Sequence, residues 1–500
     1  MRGSGTELSL RKDIADKCTS CGTCRSVCPI FAEVGREDSV ARGKVALMRA
    51  VLDGELDLTR IFDQRIQLCL NCKACVEVCP NDVRVDDLTL AARSALVDAG
   101  RFPVVKRFVF RLLLRRGRLL PPVGRMASFF QRFVLRGLPR NSPFRLLLPA
   151  VGMDRNRVFP VFAAKSFLGA APEVVAPADM AATGRGARPE GPVSERSGDG
   201  ADADRRRVAR EAHRVAYFVG CAANLIYPES AGAAVDTLRR VGVEVAIPKS
   251  QGCCGTPVFN AGDFVTAREM ASRNVESLRG CGADAVVTAC ASCGLTLKRE
   301  YEELLGFEGG VGLPVFDLTE FLVLRGMSPA LPTRSAERDG APARAASAGN
   351  TGDAAGAGRR RVRVTYHDPC HLVRGQGIRE EPREVLRSIP WIEFVEMKDA
   401  DRCCGAGGSF SLSHYGLSKA IGSRKVSAIR DAEVDIVATE CQACVMQLAD
   451  MLAQADMDVA VVSVAELVAQ GEVWTGSSGE ADERRPRRAP IRFDSGHTRC

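Results

Sequence analysis

Eighteen of the twenty cysteines in this 500-residue chain fall into four ordered groups of two kinds. The first kind reads Cys18-x2-Cys21-x2-Cys24-x3-Cys28-Pro29 and returns as Cys69-x2-Cys72-x2-Cys75-x3-Cys79-Pro80. Three cysteines spaced by two residues wrap a loop around one cubane [4Fe-4S] cluster, and the fourth, before proline, reaches the other cluster of a two-cluster unit. The spacing predicts one cluster on Cys18, Cys21, Cys24 and Cys79 and another on Cys69, Cys72, Cys75 and Cys28, together a wire for single electrons. Four cysteines and a proline, twice over, argue against zinc.

The second kind is a lone cysteine, then Cys-Cys-Gly, then Cys-x2-Cys. It is read as Cys221, Cys253-Cys254-Gly255, Cys290 and Cys293, and again as Cys370, Cys403-Cys404-Gly405, Cys441 and Cys444. Such close spacing suits metal ligation better than disulfide scaffolding. Structural zinc is closed by four ligands, so it would leave one thiol of each set idle. Zinc in one copy and an empty redox dithiol stay open beside an iron-sulfur cluster. Around the second set, His367, Asp368 and His371 flank Cys370. An imidazole there could donate to a cluster sulfur or carry a proton; the plainer reading has these residues capping the next helix or lying exposed. Gly255 and Gly405 are expected to turn the chain after the paired cysteines, and Pro29 and Pro80 to end each cluster loop before a helix. Cys281 has no counterpart in the other repeat and reads as a buried structural cysteine. Cys500 falls in a polar tail and is not expected to be a ligand.

Residues 12–98 should form a mostly helical domain around the first eight cysteines, because VARGKVALMRAVLDG and RIFDQRIQLCLNCKACVEVC carry apolar residues every three or four positions. A basic insertion follows over 101–170, then an Ala/Pro/Gly-rich linker over 171–212. A second linker over 328–360 and a tail over 475–500 have the same composition; all three are expected to be disordered. Between them lie two repeated units, 213–327 and 361–474, whose cysteines are offset by 149 to 151 residues. In each, β-rich runs (RVAYFVG, VEVAIP, DAVVTA; RVRVTYHD, IEFVEM, DIVATE) alternate with helical stretches and lead into the cysteine groups. Right-handed parallel crossovers would bring all five thiols to the carboxyl edge of a small parallel sheet. The expected fold is thus multidomain: a helical two-cluster domain followed by two α/β repeats.

A hydrophobic content of 46% supports several real cores. The net charge of +8 is uneven, since residues 101–166 hold fifteen Arg or Lys against a single acid, Asp154. Interleaved with Phe, Leu and Val, these arginines suit an anionic membrane surface or an acidic partner, or amphipathic helices packed on the protein's own domains. No nucleic-acid motif accompanies them. With no apolar run of membrane-spanning length and no apolar leader before Cys18, the expected location is the cytoplasm, with peripheral attachment to the inner face of the cell membrane through the insertion. No GxGxxG fingerprint opens a βα unit, so neither flavin nor NAD is expected in this chain.

The repeated five-cysteine pattern resembles the cysteine-rich CCG domain family, and both copies match it at all five cysteines. The resemblance implies a non-cubane iron-sulfur cluster on the set matching Cys221, Cys253, Cys254, Cys290 and Cys293, and so one or two such clusters beyond the cubanes. The domain order is similar to the iron-sulfur subunits of glycolate and D-lactate dehydrogenases, to the iron-sulfur subunit of anaerobic glycerol-3-phosphate dehydrogenase, and to the CCG-containing subunit of heterodisulfide reductase. YHDPCHLVRGQGIREEPREVLRSIP and ADRCCGAGGSFSL look closest to the glycolate and lactate group. That resemblance implies a separate flavoprotein that oxidises a 2-hydroxy acid, or glycerol phosphate, and passes electrons through this chain toward quinone or a membrane anchor protein. The heterodisulfide reductase resemblance implies instead that a CCG cluster itself splits a disulfide, which would make the catalytic residues those of the CCG sites.

Overall fold

The structure, a computed structural model, describes residues 6–117, 120–130, 157–158, 160–178, 200–326 and 361–470. The segments 328–360 and 475–500, with Cys500, lie outside these.

Residues 6 to about 100 form helices and cluster loops, with no strand among the described residues. The helix Val85–Asp98 is buried along nearly its whole length, and Leu88, Ala91, Ala92 and Ala95 pack against Val45, Met48, Phe62 and Ile66 of the helices Ala41–Leu52 and Arg60–Gln67. Small residues on Val85–Asp98 let its neighbours close in on every side.

Two parallel sheets follow. In the first, β1 (Val174–Val175) pairs antiparallel at the edge with β3 (Glu244–Ala246), beside β2 (Arg214–Tyr217), β4 (Ala285–Thr288) and β5 (Val315–Asp317), in the order β1-β3-β2-β4-β5. The second has the order β7-β6-β8-β9 with β6 (Val362–Tyr366), β7 (Ile392–Phe394), β8 (Ile436–Ala438) and β9 (Ala460–Val462), all parallel. The repeat is therefore one of topology as well as of cysteines, and Val215 faces Val245 as Val364 faces Phe394. Each fourth strand runs into a helix opened by a capping box, Asp317 with Glu320 and Ser463 with Glu466.

The two units pack as a pseudo-twofold pair over a shared apolar core that includes Tyr217, Phe316, Phe321, Tyr366, Leu386 and Leu467. The helix Pro228–Arg240 of the first lies on Val464–Ala469 of the second, and Leu318–Leu324 lies on Glu381–Arg387. Each contact joins the same two elements with the units exchanged.

The expected linker 171–212 is corrected at both ends. Residues 174–175 form β1, and Gly200–Glu211 is a helix. Its composition conceals it because charge carries much of its docking: Arg205 reaches Glu320 at 2.5 Å and stacks over Phe316, while Ala209 alone is fully buried. In the basic insertion, Val104–Phe108 continues as a π-helical turn, Val109–Leu114, and Leu120–Phe130 is helical. Phe110 enters the core of the first repeat and Arg111 pairs with Asp263 at 2.8 Å, whereas Val104, Val105 and Phe108 stay exposed. No helix among the described residues is long and apolar enough to cross a membrane.

Candidate metal centres

The two N-terminal loops are built alike. Ser20 and Gly22 flank Cys21 with positive φ, and Asn71 and Lys73 do the same around Cys72. These left-handed residues curl each loop. One cavity is lined by Cys18, Cys21, Cys24 and Cys79, and a second by Cys69, Cys72, Cys75 and Cys28. Cys28 caps the helix Pro29–Val34, its Sγ accepting from the Phe31 amide at 3.4 Å, and burial pushes its thiol up to about 11. Pro29 opens that helix, but Pro80 does not open one: it sits in a turn, Asp82 takes a positive φ, and the next helix starts at Val85. Four thiols around each cavity suit a cubane cluster. Cys21 is exposed, so the first cavity lies at the surface.

In the repeats, the lone cysteine follows β2 or β6 and opens a short helix, while Cys-x2-Cys follows the adjacent strand, β4 or β8, and also opens a helix. The chain leaves these neighbouring strands toward opposite sides, which makes this the switch point where such sheets place ligands. The paired cysteines arrive from β3 or β7, and Gly255 (φ 96) and Gly405 (φ 90) turn the chain behind them. A Cβ on Gly405 would come 2.6 Å from the Ser418 carbonyl oxygen.

The thiols form the same series in both copies. Cys253 contacts Cys221 and Cys254, and Cys293 contacts Cys254 and Cys290; likewise Cys403 contacts Cys370 and Cys404, and Cys444 contacts Cys404 and Cys441. Hydrogen bonds from Cys253 and Cys293 hold Cys254 well below the usual thiol range, and those from Cys403 and Cys444 do the same for Cys404. Cys404 and Cys444 are 3.5 Å apart, Sγ to Sγ. Buried thiols converging in this way make a soft, multidentate donor set suited to iron-sulfur groups or zinc.

The N-terminal domain lies across the edges of both sheets. Arg93 donates to the carbonyls of Cys69 at 2.8 Å and Asn260 at 2.7 Å, and Arg374 pairs with Glu77 at 2.7 Å. Cys403 also hydrogen-bonds Cys72 and pulls that thiol down to about 6, and Leu70, Cys72, Cys370 and Cys403 share one apolar cluster. The second five-thiol set therefore abuts the second cavity of the N-terminal domain. Between the repeats, Ser292 Oγ lies 3.8 Å from Cys441 Sγ and 3.0 Å from His371 Nδ1, and the Ala291 amide donates to the Glu440 carbonyl. His371 Nε2 is 3.3 Å from the Asn71 carbonyl oxygen. Burial, then repulsion from Lys73, lowers His371 to about 4, which makes it neutral at ordinary pH.

His367 and Asp368 neither cap a helix nor face solvent. Asp368 is clamped by Arg383 through two bonds of 2.9 and 2.8 Å, and the wholly buried His367 lies beside Cys404 and Cys444. Cys281 is only partly buried; its thiol donates to the Leu278 carbonyl and borders a large cleft. That cleft, of about 1310 Å³, reaches Cys221 and Cys253 and is lined by Arg115, Arg116 and Arg125 of the basic insertion. Sequence spacing offered no signal for the Cys72–Cys403 contact or for the cleft, since both arise from docking between domains.

Comparison with known proteins fits this architecture. The 4Fe-4S dicluster domain family matches residues 14–83, and the Cysteine-rich domain family matches 215–298 and 364–449. One of the two kinds of chain in a fumarate reductase (CoM/CoB) from Methanothermobacter marburgensis is 35% identical over 51% of this chain, a match that spans 46% of that protein. A probable glycolate oxidase iron-sulfur subunit from Bacillus subtilis is 28% identical over 86% of this chain and 87% of its own length. A dihydromethanophenazine:CoB–CoM heterodisulfide reductase subunit from Methanosarcina acetivorans is 26% identical over 91% of this chain and 93% of its own length. With one dicluster domain, two cysteine-rich domains of matching topology and relatives that share this order along nearly their whole length, the chain belongs to the cysteine-rich-domain iron-sulfur oxidoreductase family.

Proposed function

We propose that this chain is the electron-transfer subunit of a flavin-dependent 2-hydroxy-acid dehydrogenase of the glycolate or lactate type. Cys18, Cys21, Cys24 and Cys79 hold one [4Fe-4S] cluster, Cys28, Cys69, Cys72 and Cys75 another, and each five-thiol set holds a non-cubane cluster. When bound, these groups supply one-electron chemistry. The protein fixes their order. The exposed Cys21 edge comes first, then the Cys28 cavity, the second five-thiol set through Cys72 and Cys403, and the first set across Ser292. The contact between Cys72 and Cys403 carries this reading, because it joins the two kinds of site without intervening side chains. Buried walls keep water from the inner sites, and the arginine-lined cleft over Cys221 is the docking place for an acidic flavoprotein or for the route to a quinone or membrane anchor.

Gentle anaerobic isolation from the native host, with iron, zinc and sulfide counting, tests the proposal. It expects a co-purifying flavoprotein and about sixteen irons per chain; a flavin-free isolate with about eight irons plus zinc would overturn it.

The open cleft favours a second reading, disulfide reduction at the first set, since it is large enough to admit a small molecule to Cys221. Turnover of low-molecular-weight disulfides by the reduced, fully loaded protein would establish it, and none would eliminate it.

A further inference from the structure

The two five-thiol sets are not equivalent, and the difference lies in one side chain. By the offset that relates Cys221 to Cys370, His367 of the second copy corresponds to Phe218 of the first. His367 has no solvent exposure, and neither ring nitrogen has a hydrogen-bond partner. A buried imidazole without a partner is costly, of order 1–3 kcal/mol, unless something binds it. One ring nitrogen and the Sγ atoms of Cys404 and Cys444 all lie within 4.8 Å of one another, a separation from which a single metal ion could reach all three.

The backbone holds this ring in place from three sides. The His367 amide continues the sheet by donating to the Ala438 carbonyl at 2.9 Å, the Asp368 amide donates to the Ala400 carbonyl at 3.0 Å, and the Asp368 carboxylate is gripped by Arg383. Arg383 is itself buried and held from its other side by Glu396. Such support is what a metal-binding histidine requires, since a loose ring loses affinity. In the first copy, Phe218 belongs to the apolar core with Cys253, Cys254 and Cys293, and offers no donor.

We propose that His367 is a direct ligand of the metal group in the second set, making that set a mixed imidazole–thiolate site while the first is all-thiolate. The metal is a borderline-soft one accepted by both donors, iron of an iron-sulfur group or zinc. The proposal rests on the reading that the second set holds metal. If the metal is iron, a neutral nitrogen donor raises the reduction potential of that site above that of the first, as histidine ligation does in Rieske centres.

The test uses the full chain, purified anaerobically with its native metals, from cells grown with ¹⁵N-histidine or at natural abundance. Pulsed electron paramagnetic resonance reads nitrogen bound to a paramagnetic iron site, and X-ray absorption at the iron and zinc edges reads a nitrogen neighbour whether or not the site is paramagnetic. The expected result is an isotope-sensitive nitrogen ligand that disappears in His367→Phe and persists in His371→Phe. If the Phe variant does not fold, the isotope comparison on the unaltered protein decides alone. Metal that Cys404→Ser removes, but with only sulfur around it in the unaltered protein, would overturn the ligand assignment and leave the five-thiol reading standing. A metal content unchanged by Cys404→Ser would overturn both.

Discussion

In the first cysteine-rich repeat the central thiol, Cys254, meets the Thr256 hydroxyl at 3.1 Å, and a buried series runs on through Thr296 to Glu300 and, 4.0 Å further, Lys73. In the second repeat the equivalent Cys404 meets His367, Ala406 replaces Thr256, and Met451 stands where Glu300 would be. Their settings differ as much. The first set opens to an arginine-lined cleft, and the second is covered by Leu70 and Cys72 of the dicluster domain. Duplication preserved the sheet order, the five thiols and the capping boxes, which make the container. The residues around the central thiol diverged, and these govern potential and proton supply. The second site is thereby suited to receive or deliver electrons within the chain, and the first to exchange them with an outside partner.

The largest test of this asymmetry is a matched pair of substitutions. Cys403→Ser removes the thiol that touches Cys72, and Cys253→Ser removes its counterpart. Rapid-mixing reduction should show that Cys403→Ser leaves the first set cut off from the dicluster domain, with transfer falling to background. Cys253→Ser should leave reduction of the second set unchanged. Equal effects of the two would break the proposed order.

A second test concerns the framework of the His367 strand. Arg383→Met leaves Asp368, 1% exposed, as an uncompensated buried charge, at a cost of about 3–5 kcal/mol. The first copy has Val219 at the position of Asp368, so no comparable substitution exists there. Denaturant titration should show the second repeat unfolding earlier, and Asp368→Asn combined with Arg383→Met should recover part of the loss.

The cleft gives a third. Arg115→Glu with Arg116→Glu should slow association with an acidic redox partner by about tenfold at low salt, and the effect should vanish at high salt. Arg387→Glu, on the exposed side of the second repeat, should change the rate little.

Much of this arrangement was legible in the chain because cysteine spacing and β-rich runs are local signals. The parallel sheets, the helical dicluster domain and the carboxyl-edge placement of the thiols all followed from them. The short strands β5 and β9 were not legible, since three residues carry no usable period. The helix Gly200–Glu211 was hidden by a composition that reads as linker, because its partners Glu320 and Phe316 lie more than a hundred residues away. His367 was visible beside Cys370, but its fate was not: helix cap, exposed ring and cluster neighbour share one sequence, and burial against Cys404 depends on how β6 meets the loop after β7.

The smallest effect expected is one of pH, and it belongs to the first repeat alone. Burial pushes the Glu300 carboxyl up to about 7, against the partial opposition of Lys73, while Met451 in the second repeat cannot titrate. A carboxyl raised in the fold favours the protonated form there. Its contribution is fully present below its ordinary value near 4.5 and is lost as pH climbs through about 7, a change of about 3 kcal/mol. Glu300→Gln keeps the hydrogen-bonding shape without the charge, so the unfolding midpoint of the first repeat should no longer decline over that interval, and that of the second should respond alike in both proteins. Lys73→Met should steepen the decline, because the cation 4.0 Å from Glu300 opposes the effect of burial. If instead both repeats lost stability in parallel over this range, the titrating group would lie in their shared core, where Asp317 is raised to about 6 and Glu440 well above the usual carboxylate range.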